Sequence, residues 1–134
     1  MEFPKLLIDT SIIIDFLRKK NKENTLFWKI INEYACYIST ITEFELFCGA
    51  ITDEKKLELE KIINSLQIIN FDENASLKSA EIFLSLRSKN KNIEFRDIFI
   101  AATAIVADLP LSTLNQKHFN RISELKLQNI DKWI

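Results

Sequence analysis

Three carboxylates stand where a globular chain seldom places a charge. Asp9 ends the apolar run Phe3 to Ile8 and is followed at once by Thr10 and Ser11. Glu45 interrupts the apolar stretch Ile41 to Ala50, and Asp97 is the only charge in the segment DIFIAATAIVA that runs to Ala107. A buried carboxylate without a partner is costly and tends to take up a proton. Three that converge make chemical sense as a cage for a hard divalent cation, because carboxylate oxygens suit Mg²⁺ or Mn²⁺ better than softer metals.

Each acid also has an ordinary explanation. An Asp after a strand often caps a helix, but Ser11 can supply that cap and leave Asp9 free. At helical spacing Ile41, Phe44, Glu45 and Cys48 share one face, so Glu45 falls in the middle of apolar neighbours while Glu43 falls off that face. Asp97 suits the first turn of a helix through the dipole, yet it shares its face with Ile100, Ala101 and Ala104, and the small residues on that face let another element approach closely. With one His and two separated Cys, a zinc site of the usual kinds is not indicated, and His118 reads as a surface or helix-packing residue. Cys36 and Cys48 read as small core residues.

A chain of 134 residues suits one domain, here residues 1–134, with a core of its own. Its 47% hydrophobic and 28% charged composition indicates neither disorder nor a membrane protein, and no apolar run approaches the ~20 residues of a membrane span. The N-terminal MEFPKLLID has no basic start or long apolar stretch, which reads as cytoplasmic. A net charge of -1 argues against a protein that coats nucleic acid through bulk positive charge. Local basic rims are present: Lys19, Lys20 and Lys22; Arg87, Lys89, Lys91 and Arg96 around Asp97; and Lys117 with Arg121.

The elements that must position the acids follow from the pattern. Strands are expected over Phe3 to Ile8, Tyr37 to Ile38, Gln67 to Phe71 and Leu111 to Thr113, with Leu127 to Ile130 as a candidate fifth. Helices are expected over Ser11 to Arg18, Glu23 to Tyr34, Ser39 or Thr40 to Gly49, Thr52 or Asp53 to Leu66, Asp72 to Ser88, Glu94 to Asp108 and Gln116 to Ile122. Alternation of this kind predicts an α/β fold: three layers, α/β/α, around a mostly parallel central sheet of four to five strands. In such sheets ligands bind beyond the carboxyl ends of the strands where the strand order reverses, and Asp9, Ser112 and Thr113 lie at strand ends.

On these residues the chain resembles PIN-domain ribonucleases, particularly the VapC-type toxins of bacterial and archaeal toxin–antitoxin pairs. Asp9-Thr10-Ser11 after the first strand is similar to the family's opening signature. Ile38 to Gly49 resembles its Ser/Thr-rich approach to Glu-Leu-x-x-Gly, with Glu45 as the acid. Asp97 to Ala104 matches Asp-x-x-Ile-Ala-Ala-Thr-Ala closely, and Leu111 to Phe119 resembles Thr-x-Asn-x-x-Asp-Phe. This chain departs from that last element, carrying Asn115 and His118 where many members have a fourth acid.

The resemblance implies a Mg²⁺-dependent (or Mn²⁺-dependent) endoribonuclease with Asp9, Glu45 and Asp97 as metal ligands and catalytic carboxylates. It implies Thr10, Ser11, Thr113 and Asn115 as polar supports, a homodimer, and inhibition by a small VapB-like antitoxin. Arg87, Lys89 and Arg96 are the candidate holders of the RNA backbone, and single-stranded loops are the expected RNA targets. Competing readings are a PIN-like scaffold without activity and a phosphotransfer or receiver-type α/β domain. A phosphatase of the haloacid-dehalogenase kind wants a second acid two residues after Asp9, where Ser11 stands, and only Asp72 approaches the receiver's phosphorylatable acid.

Overall fold

The structure, a computed structural model, describes residues 2–133. Four strands form one all-parallel sheet: β1 (Lys5–Ile8), β2 (Ala35–Ser39), β3 (Gln67–Ile69) and β4 (Leu111–Ser112), in the order β3-β2-β1-β4. The chain winds outward from β1 through β2 to β3, then returns to place β4 on the other side of β1. The strand order therefore reverses between β1 and β4, and the Asp9 end of β1 lies at that switch point.

Successive residues of β1 serve opposite faces of the sheet, as the period of two requires. Leu6 and Ile8 pack in a core with Ile12, Ile13, Phe27, Ile30 and Ile38, under helices α1 (Thr10–Arg18), α2 (Leu26–Ile31) and α4 (Asp53–Ile63). Leu7 packs in a second core with Ile82, Ile98, Ala101, Leu111 and Phe119, under α5 (Glu73–Ser88), α6 (Phe95–Val106) and the short α7 (Gln116–Phe119). Helix α3 (Thr40–Gly49) follows β2 directly, with its first turn capped by Ser39, whose hydroxyl accepts from Thr42 N at 3.1 Å. Thr52 and Asp72 cap α4 and α5 in the same way, as the sequence predicts.

Several boundaries differ from expectation for identifiable reasons. The expected helix over Glu23 to Tyr34 is a 3₁₀ turn, Lys22–Asn24, followed by α2, because the buried Thr25 caps α2 through Trp28 N and bonds back to Lys22 O at 2.6 Å. Strand β3 stops at Ile69, since Phe71 N donates to Thr40 Oγ1 at 3.0 Å instead of continuing the ladder. The candidate fifth strand contributes a single parallel bridge, Leu127 to Leu111, before the chain turns into Asp131–Trp133.

The apolar face assigned to α3 is a further correction. Thr42 and Leu46 are the buried pair, Phe44 is 68% exposed, and Cys48 is exposed rather than in the core with Cys36. The stripe Ser39, Thr42, Leu46 faces inward because Thr42 meets Thr10 across the helix pair; Glu45, three residues after Thr42, lies at its edge.

Candidate functional site

A cavity of about 560 Å³ opens beyond the carboxyl ends of β1 and β4, and Asp9, Glu45 and Asp97 all line it, with Thr10, Ser11 and Asn115. The three acids come from the starts of α1 and α6 and from the middle of α3.

Asp9 is the N-cap residue of α1, but its side chain caps nothing. The sequence assigned the cap to Ser11; in the structure the Ser11 hydroxyl instead donates to Asp9 Oδ2 at 2.8 Å, and Thr113 Oγ1 donates to the same oxygen at 2.6 Å. Both hydroxyls accept backbone N–H groups in turn, Ser11 from Leu114 and Thr113 from Asn115, so their own protons are directed onto the carboxylate. Among the described residues no hydrogen bond reaches Oδ1, which leaves that oxygen for the cavity. Asp9 and Thr113 are buried to 2% and 0% exposure, so this small network is rigid by packing as well as by hydrogen bonds.

Glu45 is held differently. Its Oε1 bonds to Thr10 Oγ1 at 2.8 Å, and Thr10 is also bonded to Thr42 at 3.0 Å. Its Oε2 forms an ion pair with Arg96 Nη1 at 3.0 Å, and Arg96 Nε pairs with Glu94 at 2.9 Å. Burial works against charge on the Arg96 guanidinium, but the carboxylates of Glu45, Glu94 and Asp97 outweigh it and raise its pKa above the usual arginine value.

Asp97 lies in the first turn of α6, over the buried Ile100, Ala101 and Ala104, as the spacing predicts. Burial pushes its pKa above the ordinary Asp value, the nearby charge of Asp9 adds to the rise, and Arg96 opposes it. His118 Nδ1 stands 3.6 Å from Asp97 Oδ2, beyond hydrogen-bond length. That contact was not foreseen for a residue read as surface or packing: it depends on how the segment from Thr113 folds α7 back over α6.

Among the remaining predicted residues, Arg96 lines the cavity, whereas Arg87 and Lys89 do not; Lys89 faces a separate hollow beside Arg121. Arg18 and Lys19, at the end of α1, line it instead. Lys22, from the same basic cluster, turns inward and closes the C-terminus of α1 through Leu17 O at 2.9 Å.

Among the described residues no three Asp, Glu, His or Cys side chains gather at metal-ligand spacing. The donor chemistry nevertheless fits a hard divalent cation. Asp9 presents a free oxygen, Asp97 carries a charge that its neighbours disfavour, and Glu45 already needs a cation, which Arg96 supplies.

Comparison with known proteins identifies the family. The PIN domain model matches residues 6–125. The chain is 34% identical over 132 residues to Ribonuclease VapC1 of Methanocaldococcus jannaschii, covering 98% of this chain and 90% of that one. It is likewise 34% identical to Ribonuclease VapC of Rickettsia bellii, over 93% of this chain and 96% of the relative. Its fold matches the crystal structure of VapBC2 from Rickettsia felis bound to a promoter DNA fragment, with a TM-score of 0.81 and 25% identity over 92% of this chain and 97% of that one. With the domain model and the sequence identity both spanning most of its length, this chain belongs to the PIN-domain family, among its VapC-type members.

Proposed function

We propose that this protein is a divalent-metal-dependent endoribonuclease, the toxin of a VapBC-type pair. The observation that carries the reading is the convergence of Asp9, Glu45 and Asp97 on one cavity at the strand-order reversal, in a chain whose relatives are named ribonucleases.

In this reading Asp9, Glu45 and Asp97 hold Mg²⁺ or Mn²⁺, and the bound cation supplies charge neutralisation at a phosphodiester and polarisation of the attacking water. The protein's own contribution is orientation. Ser11 and Thr113 fix one oxygen of Asp9 and leave the other outward, the Asn115 N–H sets the Thr113 hydroxyl, and Thr10 fixes one oxygen of Glu45. Arg96, Arg18 and Lys19 form the rim that would hold RNA through its phosphates; Arg87 and Lys89 stand off the cavity and are left out of that track. Single-stranded segments are the substrate class that fits, since their bases can splay from the backbone.

The partners in this reading are a VapB-like antitoxin and a second copy of the chain. A groove of about 390 Å³ lined by Ile14, Leu17, Leu46, Ala50 and Leu59 runs from Glu45 and Arg18 and would suit an apolar antitoxin segment. On α2, Phe27 is 3% exposed and Trp28 43%, so the two diverge and leave Trp28 outward, in keeping with an interface. Among the described residues no helix is long and apolar enough to cross a membrane; a cytoplasmic location is part of the proposed reading.

The deciding experiment incubates purified protein with a structured RNA in Mg²⁺, in Mn²⁺ and in chelator. Cleavage that needs metal and disappears in Asp97→Asn supports the reading. Cleavage unaffected by chelator, or none in either metal, refutes it.

A further inference from the structure

We infer that Arg96 is an internal competitor of the divalent cation for Glu45: its guanidinium is paired with the carboxylate oxygen that a bound cation would use. The inference rests on the metal-dependent reading above and adds a positioning residue to it.

Both oxygens of Glu45 are engaged, Oε1 by Thr10 at 2.8 Å and Oε2 by Arg96 at 3.0 Å. A cation that recruits Glu45 must therefore break one of these bonds. The hydroxyl bond is compatible with ligation by the other oxygen, whereas the guanidinium sits on that other oxygen as a competing positive charge.

The pair is also built to release. The Arg96 side chain is 60% exposed and that of Glu45 only 14%, so the arginine reaches in from the rim onto a largely buried carboxylate. Arg96 Nε remains paired with the exposed Glu94 at 2.9 Å, so the guanidinium keeps a partner when Glu45 leaves it. Its position in the first turn of α6 sets a cation at the positive end of the helix dipole, which flanking acids must offset. Once displaced, the guanidinium stays on the cavity rim, where it can meet a phosphate.

Calorimetric titration of metal-free protein with Mn²⁺ tests this without reference to activity. Arg96→Ala should bind Mn²⁺ about tenfold more tightly than wild type, a coupling of ordinary size. Arg18→Ala is the control, since Arg18 lines the same cavity and carries the same charge but forms no ion pair with the three acids. Its effect measures the through-space charge alone. Arg96→Gln, which keeps most of the side chain, should shift affinity in the same direction as Arg96→Ala. Equal tightening in the Arg96 and Arg18 variants, or none in either Arg96 variant, overturns the inference while leaving the functional reading intact. A wild type that takes up no Mn²⁺ overturns both.

Discussion

Asp9 and Asp97 face one cavity from opposite elements and are supported in opposite ways. Asp9, at the end of β1, receives two hydroxyl protons on a single oxygen, each relayed from a backbone N–H of the segment after β4. Asp97, in the first turn of α6, receives no comparable donor among the described residues; its neighbours are the charge of Asp9, the flanking Arg96 and the His118 imidazole at 3.6 Å. The strand-end side is satisfied by neutral groups within the fold. The helix side holds a charge that burial and Asp9 disfavour and that Arg96 and His118 offset only in part.

Breaking the helix side should give the largest effect. Asp97→Asn is expected to lower RNA cleavage by at least ~10²-fold, since in the proposed reading it removes a ligand of the cation that would stabilise the developing charge. The folded state should survive, because Asn keeps the shape and removes a disfavoured charge. Mg²⁺ at ~100 times its Kd should stabilise wild type by about 2.7 kcal/mol in melting experiments, and the variant should lose most of that gain. A variant that melts lower than wild type in chelator, yet keeps the full Mg²⁺ gain, would make Asp97 a structural helix-start acid.

The same residue gives a pH signature in chelator. Because the folded state raises the Asp97 pKa, it binds the proton more tightly than the unfolded chain does. The cost is absent below the unfolded value of about 3.9, develops as pH rises through the folded value, and is fully present above it. The stability advantage of Asp97→Asn over wild type should therefore be near zero at acid pH and grow toward neutrality. An advantage independent of pH would show that charge at this position is not the cause.

Thr113→Val sharpens the comparison from the strand-end side. It keeps shape but removes the 2.6 Å donor to a carboxylate buried to 2% exposure, and it strands the Asn115 N–H. Chemical denaturation should show a loss of about 1.5–3 kcal/mol, the range for hydrogen bonds to charged groups. His118→Ala, which removes a contact 3.6 Å from Asp97 on a side chain 53% exposed, should cost less than about 1 kcal/mol.

The contrast also shows what the sequence could reveal. The alternating elements and the acid-bearing starts of α1 and α6 were legible, because a charge at the end of an apolar run is a local signal. The face of Asp97 over Ala101 and Ala104 followed from spacing alone. The face of α3 did not: Phe44 and Cys48 are apolar but exposed, and the buried stripe is set by the contact of Thr42 with Thr10 on another helix. The partners of the acids were equally hidden. Arg96 on Glu45 and His118 beside Asp97 join residues 51 and 21 positions apart, and their meeting depends on the packing of α3, α6 and α7. Arg18 ends an amphipathic helix, where a basic residue reads as a favourable dipole partner; only the docking of α1 turns it to the cavity.

The smallest expected effect concerns the basic rim and separates position along the chain from position in space. Arg87 is close to Asp97 in sequence, and Arg18 is distant, but only Arg18 lines the cavity. Binding of a single-stranded RNA, measured in chelator across a salt series, should reflect the phosphates each side chain neutralises. For one contact, the slope of log affinity against log salt changes by about 0.7. Arg18→Ala should flatten the slope by roughly that amount, and Arg87→Ala should leave it unchanged. Neither substitution removes a proposed metal ligand, so both variants should keep most of the Mg²⁺ stabilisation expected of wild type. A flattened slope in Arg87→Ala alone would route the RNA past the end of α5 and away from the end of α1.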